Sequence, residues 1–575
     1  MSLTIYYDGE CPLCARYSTM LRLERHQDVS LVDLRQVPEV RQQLLEMGFD
    51  LDQGMVVDQD GLRFGGADAV HALALLSSGS DAFNRLNRAV LGNALAARLL
   101  YPLLRAGRWL LLLLLGKEFI SDDNSGSYRQ TIFAICFALF SVFHFCNYAT
   151  AYGRFPPGWD QLLLLAAAIF TFFKPGSSRV LLLLMAASLV SAVIQAPAQS
   201  NHTITRNFLL LGYWLSFTLA MLRNRPSREI FGNFVMAGQA VLLVMYFYGI
   251  FHKINTDFLN PVTSCAVALW ERMPAPLSMI DGWVVDHATI YGTFVVEGAI
   301  ALMLLIRRWR HLGIAAGMAF HLLLAMSSYA MYIAFTVLTI AMHSLFLSED
   351  AARRIMESQP MALVRSRLQR PIYLVLGIVF LLLLGTLAFR GSYGLASMMA
   401  MPLVLPYCWV ILRYGKAEEA APMRSTGALA VGAITFAAFL ANGAMPYLGL
   451  KTAQSLNMFA NLRLEQGVSN HLVFSNPPGP FRYLEDVAIV EGQTGDFDMQ
   501  NSIESGFGVV YYDVLAFLAD NPDEPLSFTI NGRSYRNVSA ADMREEIDAT
   551  LHPAWFRKWF HFQPVQLDRP ERCTI

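Results

Sequence analysis

The chain has 575 residues, of which 54% are hydrophobic and only 15% are charged, with a formal net charge of -1. Globular chains carry roughly a quarter charged residues, so a soluble protein of this size would lack the charge to cover itself, and lipid is expected over much of the surface. The near-neutral balance and the lack of a basic or acidic tail argue against nucleic acid as a partner.

No signal peptide is expected, because residues 1–20 have no basic start and Asp8 and Glu10 interrupt any apolar stretch. The first domain, residues 1–80, should therefore stay in the cytoplasm. Residues 3–7 read as a strand ended by Asp8 and Gly9. Residues 12–26 follow with helical spacing through Leu13, Tyr17, Met20, Leu21 and Leu23, ending near His26. A second strand at 29–34 and a second helix at 38–47, with Pro38 near its start, come next. Two short strands, 55–57 and 62–64, flank a turn at Asp58, Gln59, Asp60 and Gly61, and a third helix covers 67–76. The order is βαβαββα, the arrangement of a small thioredoxin-like α/β domain.

Residues 81–129 set Arg85, Arg88, Arg98, Arg105, Arg108 and Lys117 among leucines. Leu110 to Leu115 is apolar but too short to cross ~30 Å of hydrocarbon. The stretch reads as an amphipathic interfacial connector; the alternative is a first spanning helix from near Leu99.

Apolar runs then repeat at about 130–149, 160–173, 180–197, 207–222, 234–251, 289–306, 312–327, 330–347, 372–389, 393–412 and 427–446. Residues 130–446 are therefore expected to be an all-α polytopic membrane domain of about eleven spans, although a run as short as 160–173 could be re-entrant. Basic residues sit on alternate loops: Arg129; Lys174 and Arg179; Arg223, Arg225 and Arg228; Arg307, Arg308 and Arg310; Arg353 to Arg370; Arg413 and Lys416. The loops between carry only Arg154, Arg206, Lys253, Arg272 and Arg390. Positive charge favours the cytoplasmic side, which predicts an inner or plasma membrane protein with its N-terminus inside and its C-terminus outside. Residues 447–575 form a polar extracytoplasmic domain of mixed α/β character. It has a helix at 509–519 and a hairpin at 526–538 turned by Asn531 and Gly532.

The seven cysteines are too scattered for a disulfide framework. Cys136, Cys146 and Cys408 lie in apolar runs, Cys265 in a polar-aromatic loop and Cys573 near the terminus. Cys11 and Cys14 alone share a recognised spacing. The strand ends and a helix begins at Cys11, where unpaired N–H groups and the helix dipole stabilise a thiolate. Cys11 is expected to be the exposed attacking sulfur and Cys14 the resolving one. A purely structural pair is the other reading. Zinc is disfavoured, since no second Cys or His pair with ligand spacing lies in the domain.

This region resembles the DCC family of thiol-disulfide oxidoreductase-like proteins. The resemblance rests on Tyr7, Asp8, Gly9, Glu10, Cys11, Pro12, Leu13 and Cys14, then Val32 and Asp33, Met55 to Asp58, Asp60 and Gly61, and Phe64 to Ala69. It extends over about residues 3–115, with the family's aromatic-basic ending falling on Arg108 and Trp109. No proline precedes Met55, where thioredoxins carry a cis-proline. The resemblance implies thiol redox chemistry with a thiol partner.

Ionisable residues in spans are costly and mark functional candidates. His202, Lys253, Glu297 and His321 are the group of interest. Lys253 leaves the fifth span beside aromatics, where desolvation favours the neutral amine, a usable base. It could instead be a snorkelling anchor paired with Asp257. His202 could be a solvated loop histidine, Glu297 a hydrogen-bond partner for a neighbouring helix, and His321, like His144 and His343, a structural one.

Residues 130–475 resemble the HTTM superfamily, whose known enzyme is the vitamin K-dependent gamma-glutamyl carboxylase. Tyr246, Phe247 and Tyr248 followed by Lys253 match the segment bearing that enzyme's base lysine, and Asn201-His202 its Asn-His segment. Phe320-His321 also fits, and Met458, Phe459, Asn461, Leu462, Glu465, Asn470 and His471 match the tail of bacterial relatives. His252 stands where the carboxylase has a second lysine, and Asn255 where it has aspartate. The resemblance implies Lys253 as general base on a reduced quinone-like substrate, with His202 stabilising the developing anion. Cys11 and Lys253 would then lie on opposite sides of the membrane, so sulfur could not reach that substrate directly. The rival expectation is a non-enzymatic transporter or membrane scaffold, with His202, Glu297 and His321 lining a polar cavity. A third is a maturation factor acting through the outer tail.

Overall fold

The computed structural model describes residues 2–20, 28–49, 51, 54–78, 81–114, 127–151, 157–196, 200–223, 228–328, 332–368, 370–390, 393–416, 425–557, 559–567, 570 and 573. Leu21, Leu23, His26, Lys117, Arg154 and Arg225 lie outside them, as does Leu115.

The N-terminal elements are β1 (Ser2–Tyr7), α1 (Pro12–Met20), β2 (Asp28–Asp33), α2 (Pro38–Glu46), β3 (Val56–Gln59), β4 (Leu62–Gly65) and α3 (Gly66–Leu76), in the order read from the sequence. The sheet order is β2-β1-β3-β4. β1 and β2 are parallel, a pairing that needs a crossover, and α1 lies on that crossover. β3 and β4 form a hairpin whose two turn residues, Asp60 at φ 51° and Gly61 at φ 90°, match the left-handed demand of a tight turn. Leu34, Leu44, Leu51 and Val56 make one core.

The stretch read as a connector is two helices, α4 (Ala82–Leu91) and α5 (Ala94–Leu114). Asp81 caps α4 by accepting the Asn84 N–H. The apolar residues Leu91, Ala97 and Tyr101 pack on Ala67, Val70 and Ala74 of α3, so this amphipathic stripe is used within the α/β domain.

The helical region runs α6 (Tyr128–Ala151), α7 (Trp159–Phe173), α8 (Ser178–Gln195), α9 (Asn201–Leu222), α10 (Arg228–Phe251), α11 (Cys265–Glu271), α12 (Trp283–Leu305), α13 (Arg310–Ala325) and α14 (Ile333–Ser344). It continues through α15 (Glu349–Glu357), α16 (Gln359–Leu368), α17 (Pro371–Phe389), α18 (Tyr393–Tyr414) and α19 (Thr426–Ala444). Each of the eleven expected runs holds a helix, but among the described residues six helices (α6, α8, α10, α12, α18 and α19) are long and apolar enough to cross a membrane. The pair α14 and α15, bent by 114°, makes a seventh if it is one span. Length separates several of the others: α7, α13 and α14 have 15, 16 and 12 residues, short of the roughly 20 a straight crossing needs. α6 is 72% buried and α12 only 22%, which puts α6 at the centre of the packed helices and leaves α12 an apolar outer face of the kind lipid covers.

The C-terminal part contains β5 (Val487–Glu491), α20 (Phe497–Ser505), β6 (Gly508–Val510), α21 (Tyr511–Asp520), β7 (Leu526–Ile530), β8 (Arg533–Val538), α22 (Arg544–Thr550) and α23 (Ala554–Arg557). Its sheet is antiparallel in the order β6-β5-β7-β8. The expected hairpin is β7–β8, turned by Asn531 at φ 48° and Gly532 at φ 76°. Leu526, Phe528 and Ile530 point alternately inward onto Val514, Leu515 and Leu518 of α21. One pairing was not anticipated from spacing: Cys265 and Cys573 form a disulfide across 308 residues.

Candidate functional site

Two clusters bring the singled-out residues together. The first begins at the end of β1. Gly9 N–H donates to Asp33 Oδ1 (3.0 Å) at the end of the parallel β2, and Cys11 N–H donates to Asp8 O (3.1 Å), so the chain turns sharply into α1. Cys11 is the residue before the helix, with Pro12 in the first helical position. Its Sγ accepts the Cys14 N–H at 3.2 Å, as an N-cap oxygen would.

Asp8 is buried and holds two guanidinium groups. Arg35 Nε lies 2.7 Å from Oδ1 and Arg108 Nη2 lies 2.9 Å from Oδ2. Glu10 Oε2 lies 3.6 Å from Arg35 Nη1, so two carboxylates face the two cations, and Arg108 is the guanidinium turned toward the cysteines. Arg108, brought in by α5 from 100 residues along the chain, also hydrogen-bonds the cysteine pair. Hydrogen bonding from the Cys14 thiol is the main cause that lowers the Cys11 pKa to about 6, against the opposing effect of burial; the Cys14 N–H and Arg108 add to the lowering. The Cys14 thiol is raised, first because it donates to Cys11 and then because it is buried. Cys11 is therefore the thiolate and Cys14 the proton holder. One expectation needs correction: Cys11 has 0% exposure. The sulfur expected to be exposed at a helix start is instead buried, with Arg108 of α5 reaching it.

The second cluster surrounds a cavity of about 380 Å³ in the helical region. His202, Lys253, Glu297 and His321, named as a group from the sequence, all line it. The local reason is helical spacing. Tyr246 and Gly249 near the end of α10 and Lys253 in the turn after it recur three to four residues apart, and Thr293 and Glu297 share a face of α12. Lys253 Nζ donates to Glu297 Oε1 at 2.7 Å, not to Asp257 as the i+4 spacing suggested. His202 is buried at the start of α9 instead of solvated; its Nδ1 lies 2.6 Å from Ser200 Oγ.

His321 belongs to a chain of contacts in which Tyr246 Oη lies 3.2 Å from His321 Nε2 and 3.0 Å from His343 Nε2. Gly317 leaves the room for this, since a Cβ there would stand 2.0 Å from His343 Nε2. Among the described residues, Glu297 Oε2 and His321 Nδ1 are buried polar atoms without a hydrogen-bond partner. The segment after the last span closes one wall through Leu456, Met458, Phe459 and Ala460. It is tied to the turn after α10 by Asn255 Nδ2 donating to Ala460 O (2.6 Å) and by His252 Nε2 at 3.0 Å from Ser455 O.

Sequence reasoning passed over Asp8, Arg35 and Arg108 as a charge cluster, and Tyr246 and His343 as parts of one chain. Arg108 carried a signal, the basic residue at the end of the DCC-like pattern. Tyr246, two turns before Lys253, carried another.

Residues 5–113 match the family described as DCC1-like thiol-disulfide oxidoreductase, a span that opens in β1, closes in α5 and includes Arg108. No curated protein and no solved structure matches the chain.

Proposed function

We propose that the chain is a membrane-embedded thiol–disulfide oxidoreductase in which Cys11 attacks and Cys14 resolves. The Cys11 thiolate attacks one sulfur of a partner disulfide; the Cys11–partner S–S bond forms, the partner's S–S bond breaks, and its second sulfur leaves as a thiolate that takes the Cys14 proton. Cys14 then attacks the Cys11 sulfur, closing the Cys11–Cys14 disulfide and releasing the partner's first sulfur as a thiolate, which water protonates. Two electrons have passed to the partner. The observation that carries this reading is Cys11 Sγ in an N-cap position, accepting the Cys14 N–H beside Arg108. Because Cys11 is covered, a partner has to displace part of that cover to reach it. Purified full-length protein should reduce insulin disulfides with a dithiol as electron source. Cys11→Ser should abolish this, and Cys14→Ser should trap a mixed disulfide. An unchanged rate in Cys11→Ser would sink the reading.

A second activity is proposed for the helical region because the four residues named from the sequence line one cavity. The residues fit an HTTM-like, carboxylase-like site for a quinone-like or lipidic substrate. For Lys253 to act as base, its ammonium proton passes to Glu297 Oε1, 2.7 Å away, and the free amine takes the substrate's O–H proton while His202 faces the resulting anion. We read the chain as crossing the membrane an odd number of times, seven when α14 and α15 form one span, with the N-terminus in the cytoplasm. The disulfide supports that orientation: Cys265 and Cys573 both fall on the side the charge rule makes extracytoplasmic, where disulfides persist. The rival is a transporter, scaffold or maturation factor with a polar pathway. Lys253→Met distinguishes them: loss of quinone-dependent turnover with ligand binding retained favours the enzyme, and unaltered turnover rejects it.

A further inference from the structure

The direction of hydrogen bonding along one cavity wall follows from its contacts. Thr339 O is a carbonyl and can only accept, so His343 Nδ1, 2.6 Å away, donates and carries the ring proton. In a neutral imidazole, the form favoured where charge is costly, the other nitrogen is then an acceptor. Tyr246 O–H therefore donates to His343 Nε2 at 3.0 Å. With its one proton committed there, Tyr246 Oη accepts from His321 Nε2 at 3.2 Å. His321 thus carries its proton on Nε2, and its Nδ1 is a bare lone pair.

That Nδ1 is buried and has no partner among the described residues. Glu297 repeats the pattern: Oε1 is taken by Lys253, while Oε2 is buried and unpartnered. Gly249 opens the space beside it, since a Cβ there would come within 3.0 Å of Oε2. Both orphaned atoms are acceptors, and a buried polar atom left unmatched is costly. Much of the remaining wall is apolar, with Phe258, Phe320, Phe335 and Phe459 among the lining residues.

We propose that His321 Nδ1 and Glu297 Oε2 form a donor-reading subsite. The cavity takes a compact, mostly apolar ligand through an O–H or N–H group and rejects the same skeleton when its polar atom can only accept. This rests on the cavity being a ligand site, as read above, and adds the hydrogen-bond polarity of what it selects.

The test uses full-length protein in detergent micelles with three fluorescent probes: naphthol, its methyl ether, and naphthylmethylammonium. Naphthol should bind at least about tenfold more tightly than the ether, the factor expected for one buried acceptor left unmatched. His321→Phe and, separately, Tyr246→Phe, which frees the His321 ring to take either tautomer, should bring that ratio toward unity while ether affinity moves less than about threefold. Tighter binding of the ammonium than of naphthol identifies an amine as the donor; the reverse order identifies a hydroxyl. Equal wild-type affinity for naphthol and ether overturns the subsite without need of any variant, as does a ratio that survives His321→Phe. Failure of all three probes to bind overturns the ligand-site reading itself.

Discussion

Lys253 Nζ stands 2.7 Å from Glu297 Oε1, joining the turn after α10 to the middle of α12, with both side chains largely buried. Neither residue is near the other in sequence, and each would be an isolated charge in a costly place without its partner. The pair positions the cavity's polar wall and fixes which carboxylate oxygen stays open.

Breaking a buried pair by removing one partner leaves an uncompensated charge and costs roughly 3–5 kcal/mol, whereas an apolar replacement of both costs far less. Lys253→Met and Glu297→Leu should each lower stability in micelles by several kcal/mol, and the double variant should be more stable than either single one. Denaturant titration reads the cycle; strict additivity would show that the two side chains do not interact.

Arg108 is a positioning residue that acts through Asp8 and through the charge it places at Cys11. Arg108→Gln should raise the Cys11 titration midpoint from about 6, and Arg108→Lys should recover part of the shift. The pH dependence of thiolate ultraviolet absorbance follows it. A midpoint unmoved by Arg108→Gln would reduce Arg108 to a packing role.

The thiol pair also couples stability to pH. The Cys11 pKa is depressed from 9.0 to about 6 in the fold, so its contribution is full above 9, declines as pH falls through that window, and is lost below about 6. The Cys14 pKa is raised, so above 9 the unfolded thiol ionises while the folded one does not, and stability falls again. The pair's own contribution to the stability of the reduced protein should therefore be largest near pH 9. Amide exchange of β1, corrected for intrinsic rates, reads this; Cys11→Ser should remove the acid-side slope.

Two glycines at the cavity have different tolerances. An alanine Cβ at Gly317 would lie 2.0 Å from His343 Nε2, within a packed interior, while one at Gly249 would lie 3.0 Å from Glu297 Oε2. Gly317→Ala should destabilise by about 1–3 kcal/mol, more than Gly249→Ala. Thermal melts of the two variants compare them, and the opposite order would contradict the tight contact at His343.

Orientation is open to direct labelling. An impermeant thiol reagent on intact cells should leave Cys11 unmodified, while Cys265→Ser should expose Cys573 to it. Labelling of Cys11 from outside would invert the proposed topology.

Local chemistry made much of this molecule readable in advance. The start of α1 at Pro12, the turns at Asp60-Gly61 and Asn531-Gly532, and a helix in each apolar run follow from residue spacing and turn preferences, which act over a few neighbours. The Cys11/Cys14 pair and the four cavity residues were visible because their side chains are costly or reactive wherever they sit. Their partners were not. Asp8 meets Arg108 across 100 residues, Lys253 meets Glu297 across 44, and Cys265 meets Cys573 across 308. Such contacts are selected by how helices and sheets pack to bury apolar surface, and they leave no periodic trace in the chain. For the same reason, packing decided that Cys11 is covered, that Lys253 turns from Asp257 to Glu297, and that the lone pair of His321 is left bare.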